Sequence, residues 1–526
     1  MSANEGKNDV ASLGFWKIGQ EQPDRPALVT PDGTEYTFGE LLAETNKVTH
    51  GLRAMGLTKG DAIATVLPND AEMIELYMAC LQAGLYITPI NHHLVADEIA
   101  YIVEDSEAKV LVGHERFAGE TAKAADQIDF PAECRFAIGD IPGFRPFSEL
   151  IEGQPDTLPE ERSSGAAMHY TSGTTGRPKG VKRPVVDIDP DVFGELFAGF
   201  PQMFGITPLG DGVHCTGSPL YHTAVLHFTG NSLHLGHRVI LMDKWTPEGM
   251  LELIDKYKVT HSHMVPTQFN RLLALPDDVK AKYDVSSTRN MVHAAAPCPP
   301  DVKRAMLEWW GPSIYEYYAA TEGGGTLVTP EEWLEKPGTV GKAWPNSEVV
   351  IMDEEGNELP PGEVGTVYMR MGTGQDFEYK DDPEKTAENR KKGFFTVGDI
   401  GVMDEDGFLF LRDRKSHMII SGGVNIYPAE IENVLLGHPK VADAAVFGIP
   451  HPDWGEEVKA VVELVDGVEP SDEVASEILT YCGEKLAKFK LPRSVDFTDE
   501  MPRDPNGKLY KRKLRDPYWE GHEAKI

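Results

Sequence analysis

The chain has 526 residues, of which 84 are acidic and 50 are basic, so its formal net charge at pH 7 is −34. A charge of that size and sign repels phosphate backbones, so we exclude nucleic acid as a principal partner. The composition, 41% apolar and 25% charged, is that of a globular protein and excludes disorder as the main state.

Neither a membrane segment nor a disulfide framework is indicated. The five cysteines are scattered without metal-ligand spacing, which indicates reduced thiols. The first ten residues lack the apolar core of a signal peptide, and no run of about eighteen apolar residues occurs. We therefore expect a cytoplasmic protein with no transmembrane segment.

The first half of the chain alternates helical and strand patterns. Apolar residues from Phe38 onward fall mostly on one helical face. A buried strand is predicted at 62–67, a helix at Ala71–Ala83 and a second strand at Tyr86–Pro89. The same alternation of helical and strand patterns recurs between about residues 205 and 320. It predicts parallel βαβ layers with helices on the sheet faces.

From about residue 345 the pattern changes to strand, turn and strand. The segments Asp353-Glu-Glu-Gly356 and Asp404-Glu-Asp-Gly407 fall in or beside the turns. Asp and Gly between alternating strands are typical of antiparallel hairpins. These segments predict a β-rich subdomain.

After Arg412 a compact segment mixes helices and strands. A helix is predicted at Pro428–Leu436, and Ser471 is predicted to cap another. We predict an α/β fold class. Its large N-terminal domain, residues 1–413, has parallel βαβ layers plus the β-rich subdomain, and its small α+β C-terminal domain is residues 414–526.

The most informative segment is residues 170–180, which read Tyr-Thr-Ser-Gly-Thr-Thr-Gly-Arg-Pro-Lys-Gly. The backbone N–H groups of such a loop, together with the cation of Lys179, suit phosphate binding. A Walker A loop, and hence a P-loop kinase, is disfavoured because Pro178 precedes Lys179 and Gly180 follows it. The alternative is a flexible surface loop rich in serine and glycine.

This loop resembles the phosphate loop of the adenylate-forming enzymes: acyl-CoA synthetases, luciferases and peptide-synthetase adenylation domains. Five further segments resemble motifs of that superfamily in the same order. They are Tyr318-Ala-Ala-Thr-Glu322, Phe395-Thr-Val-Gly-Asp399, Asp413-Arg414, residues 421–432 and residues 502–508. On these motifs the chain is identified as a member of the adenylate-forming (ANL) superfamily, in the acyl-CoA synthetase or fatty-acid–CoA ligase family.

The resemblance implies a binding site for ATP and AMP. Its implied residues are Thr171, Ser172, Gly173, Thr174, Thr175, Lys179, Ala295, Ala296, Tyr318, Thr321, Asp399, Arg414 and Lys508. Tyr318 would stack on adenine, although it could instead be a core tyrosine. Asp399 would accept the ribose hydroxyls, or could be a turn aspartate. Thr321 would donate a hydrogen bond to the α-phosphate.

The resemblance also implies four catalytic residues: Lys508, Thr321, Glu322 and His222. The Lys508 ammonium would stabilise charge between the reacting carboxylate and the α-phosphate. Glu322 would bind Mg²⁺, which prefers hard oxygen ligands; a surface glutamate is the alternative. His222 matches the family histidine that lines the acyl pocket.

Coenzyme A is implied as a co-substrate. Its implied contacts are Gly422, Gly423, Trp454, Phe489 and Lys490. Trp454 would wall the pantetheine tunnel, and a core tryptophan is the alternative. Ser416 stands at the family hinge position, so the C-terminal domain is expected to be mobile between two half-reactions.

We therefore predict an ATP-dependent acid–CoA ligase. It would convert a hydrophobic carboxylic acid to its acyl-AMP and then to the CoA thioester, releasing pyrophosphate and AMP. Alanines at 294–296 leave room for a fatty, aromatic or steroid-like acid. Two alternatives stay open: an adenylation enzyme that loads a separate carrier protein, and a catalytically inactive homologue that binds ATP or an acyl group.

Overall fold

The computed structural model describes residues 12–171, 178–320, 322–372, 377–380, 382–414, 417–421, 424–503 and 509–520. Contacts divide the chain into two compact units. The first unit consists of Met1–His263, Pro276–Met291 and Gln375–Pro383. The second unit consists of Met264–Leu275, Val292–Gly374 and Glu384–Ile526.

The first unit contains a six-stranded parallel sheet. Its strands, in spatial order, are Arg145–Pro146, Arg135–Ile138, Ala108–His114, Ala62–Val66, Tyr86–Pro89 and Ala166–Ala167. All five residues of Ala62–Val66 are buried, as expected for a strand covered on both faces. The predicted strands at 62–67 and at Tyr86–Pro89 are confirmed, the first ending one residue early.

Residues at the helix ends explain where two helices of the first unit begin and end. The helix Ala71–Ala83 begins where Asp70 accepts a hydrogen bond from the Ala71 N–H, and it ends at Gly84. Gly84 has a φ of +74°, a left-handed conformation that glycine adopts without steric cost. The helix Phe38–Ala54 begins with a capping box between Thr37 and Glu40. Both predicted helices are confirmed.

A second group of strands in the first unit has the order His261–Met264, Val213–Thr216, Arg238–Leu241, Pro26–Val29 and Glu35–Thr37. These strands are parallel except for the last pair. A small antiparallel sheet has the order Glu378–Tyr379, Lys179–Lys182 and His169–Thr171. The other helices of the unit are Phe15–Glu21, Ala96–Asp105, Glu115–Phe117, Ala118–Gln127, Ala132–Cys134, Ser148–Ile151, Pro190–Phe197, Gly199–Gln202, Thr223–His234, Pro247–Tyr257 and Asp277–Lys280.

The second unit is dominated by antiparallel strands. The strand Asn290–His293 leads into it, and Ile314–Ala319, Gly325–Val328 and Lys342–Ala343 pair in that order. A further sheet has the order Arg390–Lys391, Phe394–Phe395, Val364–Met371, Asp399–Met403 and Leu409–Arg414, with Ser347–Met352 also on Val364–Met371. Both predicted hairpins are confirmed. The helices here are Pro266–Leu273, Pro300–Trp310, Pro330–Glu335 and Pro383–Glu388.

The last part of the second unit is a compact α+β segment. Its sheet has the order Val424–Ile426, Ile419–Ser421, Gly455–Leu464 and Val441–His451, and Ser494–Thr498 runs parallel to Gly455–Leu464. Its helices are Pro428–Leu436, Asp472–Lys485 with Ser471 as its N-cap, Lys488–Lys490 and Lys511–Trp519. The segment buries its own apolar cluster, including Ile431, Val446, Val462 and Ile478.

The predicted α/β fold class is confirmed by this architecture. The domain boundary after residue 413 stays a prediction. Within the described ranges, no helix has the length and apolar character needed to cross a membrane.

Candidate active site

Three residues predicted from three separate motifs form one group in the second unit, joined by a hydrogen bond and an ion pair. Tyr318, near the end of the strand Ile314–Ala319, donates its phenolic O–H to Asp399 Oδ2 at 2.6 Å. Asp399 and Arg414 are opposite each other in neighbouring strands, and Arg414 Nε lies 3.3 Å from Asp399 Oδ1. The two contacts fix the Asp399 carboxylate from both sides.

The phenol of Tyr318 remains protonated in this group. Burial raises its pKa well above the ordinary value, and the adjacent Asp399 carboxylate raises it further. A protonated phenol keeps donating to Asp399 at neutral pH, so the phenolic oxygen is held in one position. Adenine stacking on this ring stays a prediction.

The alanine segment 294–296 follows the strand Asn290–His293 directly. Ala294 is buried, whereas Ala295 is exposed. Ala295 has a φ of +71°, in the left-handed region that residues with a Cβ adopt rarely. Uncommon backbone conformations of this kind concentrate at ligand sites, which supports the predicted role of Ala295 and Ala296 without testing it.

A buried ionic group lies next to this segment, and the sequence analysis missed it. Lys303 Nζ is 2.7 Å from Glu316 Oε2, and His293 Nε2 is 3.4 Å from the same oxygen. Burial opposes ionisation of Glu316, but Lys303 and His293 outweigh it and lower the pKa of the carboxyl to about 2. Glu316 precedes Tyr318 by two residues, so the ion pair supports the strand that carries Tyr318.

A signal for this pair was present in the sequence. On the helix Pro300–Trp310, Lys303 occurs at the spacing of Met306, Leu307 and Trp310, all of which are buried. A lysine within an apolar helical stripe predicts a buried cation, which needs a buried carboxylate.

In the first unit, the two arms of the phosphate-loop segment form a hairpin. Lys179 pairs with Thr171 in the antiparallel ladder between Lys179–Lys182 and His169–Thr171. The Lys179 ammonium forms an ion pair with Asp382 and lies 5.9 Å from the ring centre of Tyr379. The sequence analysis missed Asp382, because its partner is 203 residues away.

His222 also lies in the first unit. It is the N-cap residue of the helix Thr223–His234, and its ring centre is 4.2 Å from that of Tyr221. The residue as a whole is partly exposed. The substrate contact stays a prediction.

Glu322 is the candidate magnesium ligand in the second unit. Its carboxylate is of the hard-oxygen type that Mg²⁺ prefers, although the residue is 8% exposed. Within the described parts of the chain, no three His, Cys, Asp or Glu side chains are grouped to hold a metal. A single carboxylate still fits Mg²⁺, which proteins commonly bind through one or two carboxylates plus substrate phosphates.

Three of the candidate coenzyme A residues, Trp454, Phe489 and Lys490, are among the described residues and lie in the α+β segment. Trp454 is 42% exposed and stacks on His451, with ring centres 4.4 Å apart and an interplanar angle of 11°. The Arg493 guanidinium lies 5.0 Å from the same ring. The alternative of a core tryptophan is therefore wrong. Phe489 is likewise exposed, and Lys490 pairs with Glu430 at 2.6 Å.

Several predicted residues lie outside the described residues. They are Ser172, Gly173, Thr174, Thr175, Thr321, Ser416, Gly422, Gly423 and Lys508. Thr171 is described only as part of its strand. The roles of all these residues stay predictions.

Comparison with known proteins matches most of the chain to one enzyme family. A family model described as "AMP-binding enzyme" matches residues 15–374, and one described as "AMP-binding enzyme C-terminal domain" matches residues 430–508. The chain thus belongs to the AMP-binding enzymes, which form the adenylate-forming superfamily. Within that superfamily it is a member of the acyl-CoA synthetase family, whose enzymes form AMP.

Similar proteins include two curated relatives and one solved structure. Feruloyl-CoA synthase from Amycolatopsis sp is 34% identical, over 96% of this chain and 98% of that protein. The fatty acid–[acyl-carrier-protein] ligase ScoC from Streptomyces coeruleorubidus is 32% identical, over 96% of each chain. The crystal structure of the anthranilate CoA ligase AuaEII with anthranoyl-AMP matches with a TM-score of 0.83 at 27% identity, over 97% of this chain and 98% of that one.

Proposed function

We propose that the protein is an ATP-dependent ligase that joins a hydrophobic carboxylic acid to coenzyme A. In the first step a carboxylate oxygen attacks the α-phosphorus of ATP, and pyrophosphate leaves. In the second step the CoA thiolate attacks the acyl carbonyl carbon, and AMP leaves. The observation that carries the proposal is the Tyr318–Asp399–Arg414 group, which presents a fixed carboxylate beside an aromatic ring, as a nucleoside site requires.

Two lysines of the chain would neutralise the anionic groups of the reaction. Lys179 and the hairpin around it would hold the phosphates, and Lys508 would neutralise charge at the reacting carboxylate and α-phosphate. Lys179 must exchange Asp382 for a phosphate oxygen when ATP binds. Glu322 would hold Mg²⁺, which when bound neutralises part of the triphosphate charge. Thr321 would donate its hydroxyl to the α-phosphate.

The class of acid is proposed from small and apolar side chains and from the names of relatives. The alanines at 294–296, which follow the strand that carries His293 of the ionic group, have the smallest side chains that carry a Cβ. The relatives are named for ferulate, anthranilate and fatty acids, each an acid with an apolar body. We infer an acid with a fatty, aromatic or steroid-like body.

An assay of AMP and thioester formation tests the proposal. The purified protein is incubated with ATP, Mg²⁺, CoA and one acid at a time, and AMP and thioester are measured together. We expect equal amounts of AMP and thioester with at least one hydrophobic acid. AMP production that needs the acid but gives no thioester would favour a carrier protein as acceptor. The absence of AMP with every acid would favour the catalytically inactive homologue.

A second candidate function, loading of an acyl-carrier protein, is favoured by the similarity to ScoC. Free CoA and a carrier protein share the pantetheine thiol but differ in what surrounds it. The exposed Trp454, with His451 stacked on it and Arg493 5.0 Å from its ring centre, offers aromatic and cationic contacts that suit a small nucleotide-bearing thiol. We therefore retain CoA as the proposed acceptor.

Substituting Trp454 is expected to affect CoA selectively. Trp454→Ala should raise KM for CoA about tenfold or more and leave KM for ATP within about twofold, because an aromatic contact with a ligand contributes on the order of 1–2 kcal/mol. Trp454→Phe is the matched control and should restore most of the affinity. Steady-state kinetics with each substrate varied in turn measures both constants. A lowered melting temperature with unchanged CoA kinetics would contradict the assignment.

A further inference from the structure

A pocket of about 490 Å³ opens at one edge of the second group of strands in the first unit. Pro26, Val213 and Arg238 line the pocket, and each is the first residue of its strand. Because these three strands are parallel, the pocket lies at their amino ends. Open parallel sheets bind their ligands at the carboxyl ends of the strands, and the candidate residue His222 follows the carboxyl end of Val213–Thr216. The pocket therefore lies at the edge of the sheet opposite to the one expected for the active site.

The pocket is cationic, although the chain as a whole has a net charge of −34. Its charged lining residues are four cations and one carboxylate: Arg25, Arg238, Lys258, Arg289 and Asp211. An excess of three positive charges in so small a space raises the local concentration of anions. Three of the cations are arginines, whose forked N–H donors match the oxygens of an anion such as phosphate.

Arg25 is a partly buried cation that is held by uncharged groups. Its guanidinium donates to the carbonyl oxygens of Gly236 at 2.5 Å and Gly210 at 3.1 Å, and to the side-chain oxygen of Gln22 at 3.4 Å. Among the residues that the structure describes, no carboxylate forms an ion pair with it. Burial lowers the pKa of Arg25, because the charged form loses hydration. An anion bound in the pocket would compensate this cation.

Two further arginines of the pocket have exposed partners. Arg238 Nη2 lies 2.7 Å from Glu35 Oε1, and its buried Nε has no hydrogen-bond partner within the described ranges. Arg289 Nη2 lies 2.7 Å from Asp211 Oδ1. Both carboxylates are exposed, and exposed ion pairs contribute little to stability. Both arginines can therefore exchange a carboxylate for a ligand at small cost.

We propose that this pocket binds a small polyphosphate anion and is a site separate from the candidate active site. A single phosphate group carries a charge of about −1.5 to −2 at pH 7, so two or more groups are needed to match the excess of cations. A chain of phosphates also accepts bonds from several guanidinium groups at once. Free polyphosphate and the phosphate chain of a nucleotide share this chemistry. The inference does not depend on the proposed ligase function.

Hydrogen exchange of the full chain, followed by mass spectrometry, tests the site directly. Inorganic tripolyphosphate is titrated in buffer without Mg²⁺, and exchange of residues 209–213 and 286–289 is measured at each concentration. We expect saturable slowing of exchange in both segments, from which the dissociation constant of this site is obtained. Unchanged exchange in both segments would overturn the proposal, even if tripolyphosphate binds elsewhere on the chain.

ADP and citrate, titrated in the same way, define the ligand. Slower exchange with tripolyphosphate and ADP would support a site for any phosphate chain, and slower exchange with tripolyphosphate alone would support a site for the free anion. Citrate carries several carboxylates and no phosphate. Tighter binding of citrate than of tripolyphosphate would overturn the assignment to phosphate.

Two variants with opposite expected effects make the test specific. Arg289→Gln removes an exposed cation and should weaken tripolyphosphate binding about tenfold, the loss of one hydrogen bond to a charged group. Asp211→Asn removes the carboxylate of the lining and should strengthen binding, an effect that damage to the fold would not produce. Arg145→Gln, at an arginine 2.9 Å from Glu149 elsewhere in the unit, is the matched control and should bind as wild type. Equal binding by the wild type and both pocket variants would overturn the proposal.

The pocket and the ligase function can fail independently. Lys179→Gln, at the phosphate-loop hairpin, should leave the exchange of residues 209–213 with tripolyphosphate unchanged. Slowed exchange in a protein that forms no AMP with any acid would support the pocket and count against the ligase function. Formation of AMP and thioester without slowed exchange would support the ligase function and overturn the pocket.

Discussion

Lys508→Ala is expected to reduce acyl-adenylate formation by about a hundredfold to a thousandfold, the effect of removing one group that stabilises developing charge in a transition state. Negative charge accumulates between the carboxylate and the α-phosphate only in the first half-reaction. Thioester formation from supplied acyl-AMP should therefore stay close to the wild-type rate. Pyrophosphate release measures the first step, and acyl-CoA formed from synthetic acyl-AMP measures the second.

The basic residues that follow Lys508 provide the control. Lys513 is exposed on the helix Lys511–Trp519, with its ammonium 5.3 Å from the ring of Tyr510. Lys513→Ala removes the same charge a few residues away and should leave both half-reactions unchanged. If Lys508→Ala slows the two half-reactions equally, Lys508 does not have the proposed role.

Lys303→Met is expected to cost about 3–5 kcal/mol of stability, because it leaves an ionised carboxylate buried without its cation. Lys303 has no exposed surface, and Glu316 is 6% exposed. Since Lys303 and His293 hold the Glu316 pKa at about 2, the carboxyl is ionised at neutral pH and loses that stabilisation in the variant. Urea unfolding followed by tryptophan fluorescence measures the loss, because Trp333 lies 4.9 Å from the Lys303 ammonium.

The double variant Lys303→Met/Glu316→Gln separates the loss of the ion pair from the loss of packing. Glutamine removes the uncompensated charge while keeping the size of the side chain. The double variant should therefore recover a large part of the stability that the single variant loses. Equal stability of the single and double variants would show that Glu316 is protonated in the folded protein, contrary to its lowered pKa.

The sequence predicted those parts of the fold that local chemistry determines. The helix Ala71–Ala83 was predicted to the residue, and in the structure Asp70 caps its start and Gly84, in a left-handed conformation, ends it. The hairpins of the second unit were predicted because Asp and Gly mark their turns. The short strand Glu378–Tyr379 was missed, because two residues carry no periodic pattern and the pairing depends on a distant partner.

In the candidate site, too, local motifs predicted single residues, whereas contacts between distant residues could not be predicted. Tyr318 and Asp399 were each predicted from a local motif, but the bond between them joins residues 81 positions apart. The pairs Lys303–Glu316 and Lys179–Asp382 were missed because a charged side chain does not indicate its partner in a single sequence.

The pairing of the strand Glu378–Tyr379 with the phosphate-loop hairpin has a consequence for biosynthesis. Lys179 is made 203 residues before Asp382, so a ribosome adding about 5–20 residues per second separates them by about ten to forty seconds. During that interval the outer edge of Lys179–Lys182 lacks its third strand, and an unpaired edge can pair with other chains. The nascent first unit is therefore exposed to aggregation until translation has passed residue 382, and a fragment that ends before the strand would keep that open edge.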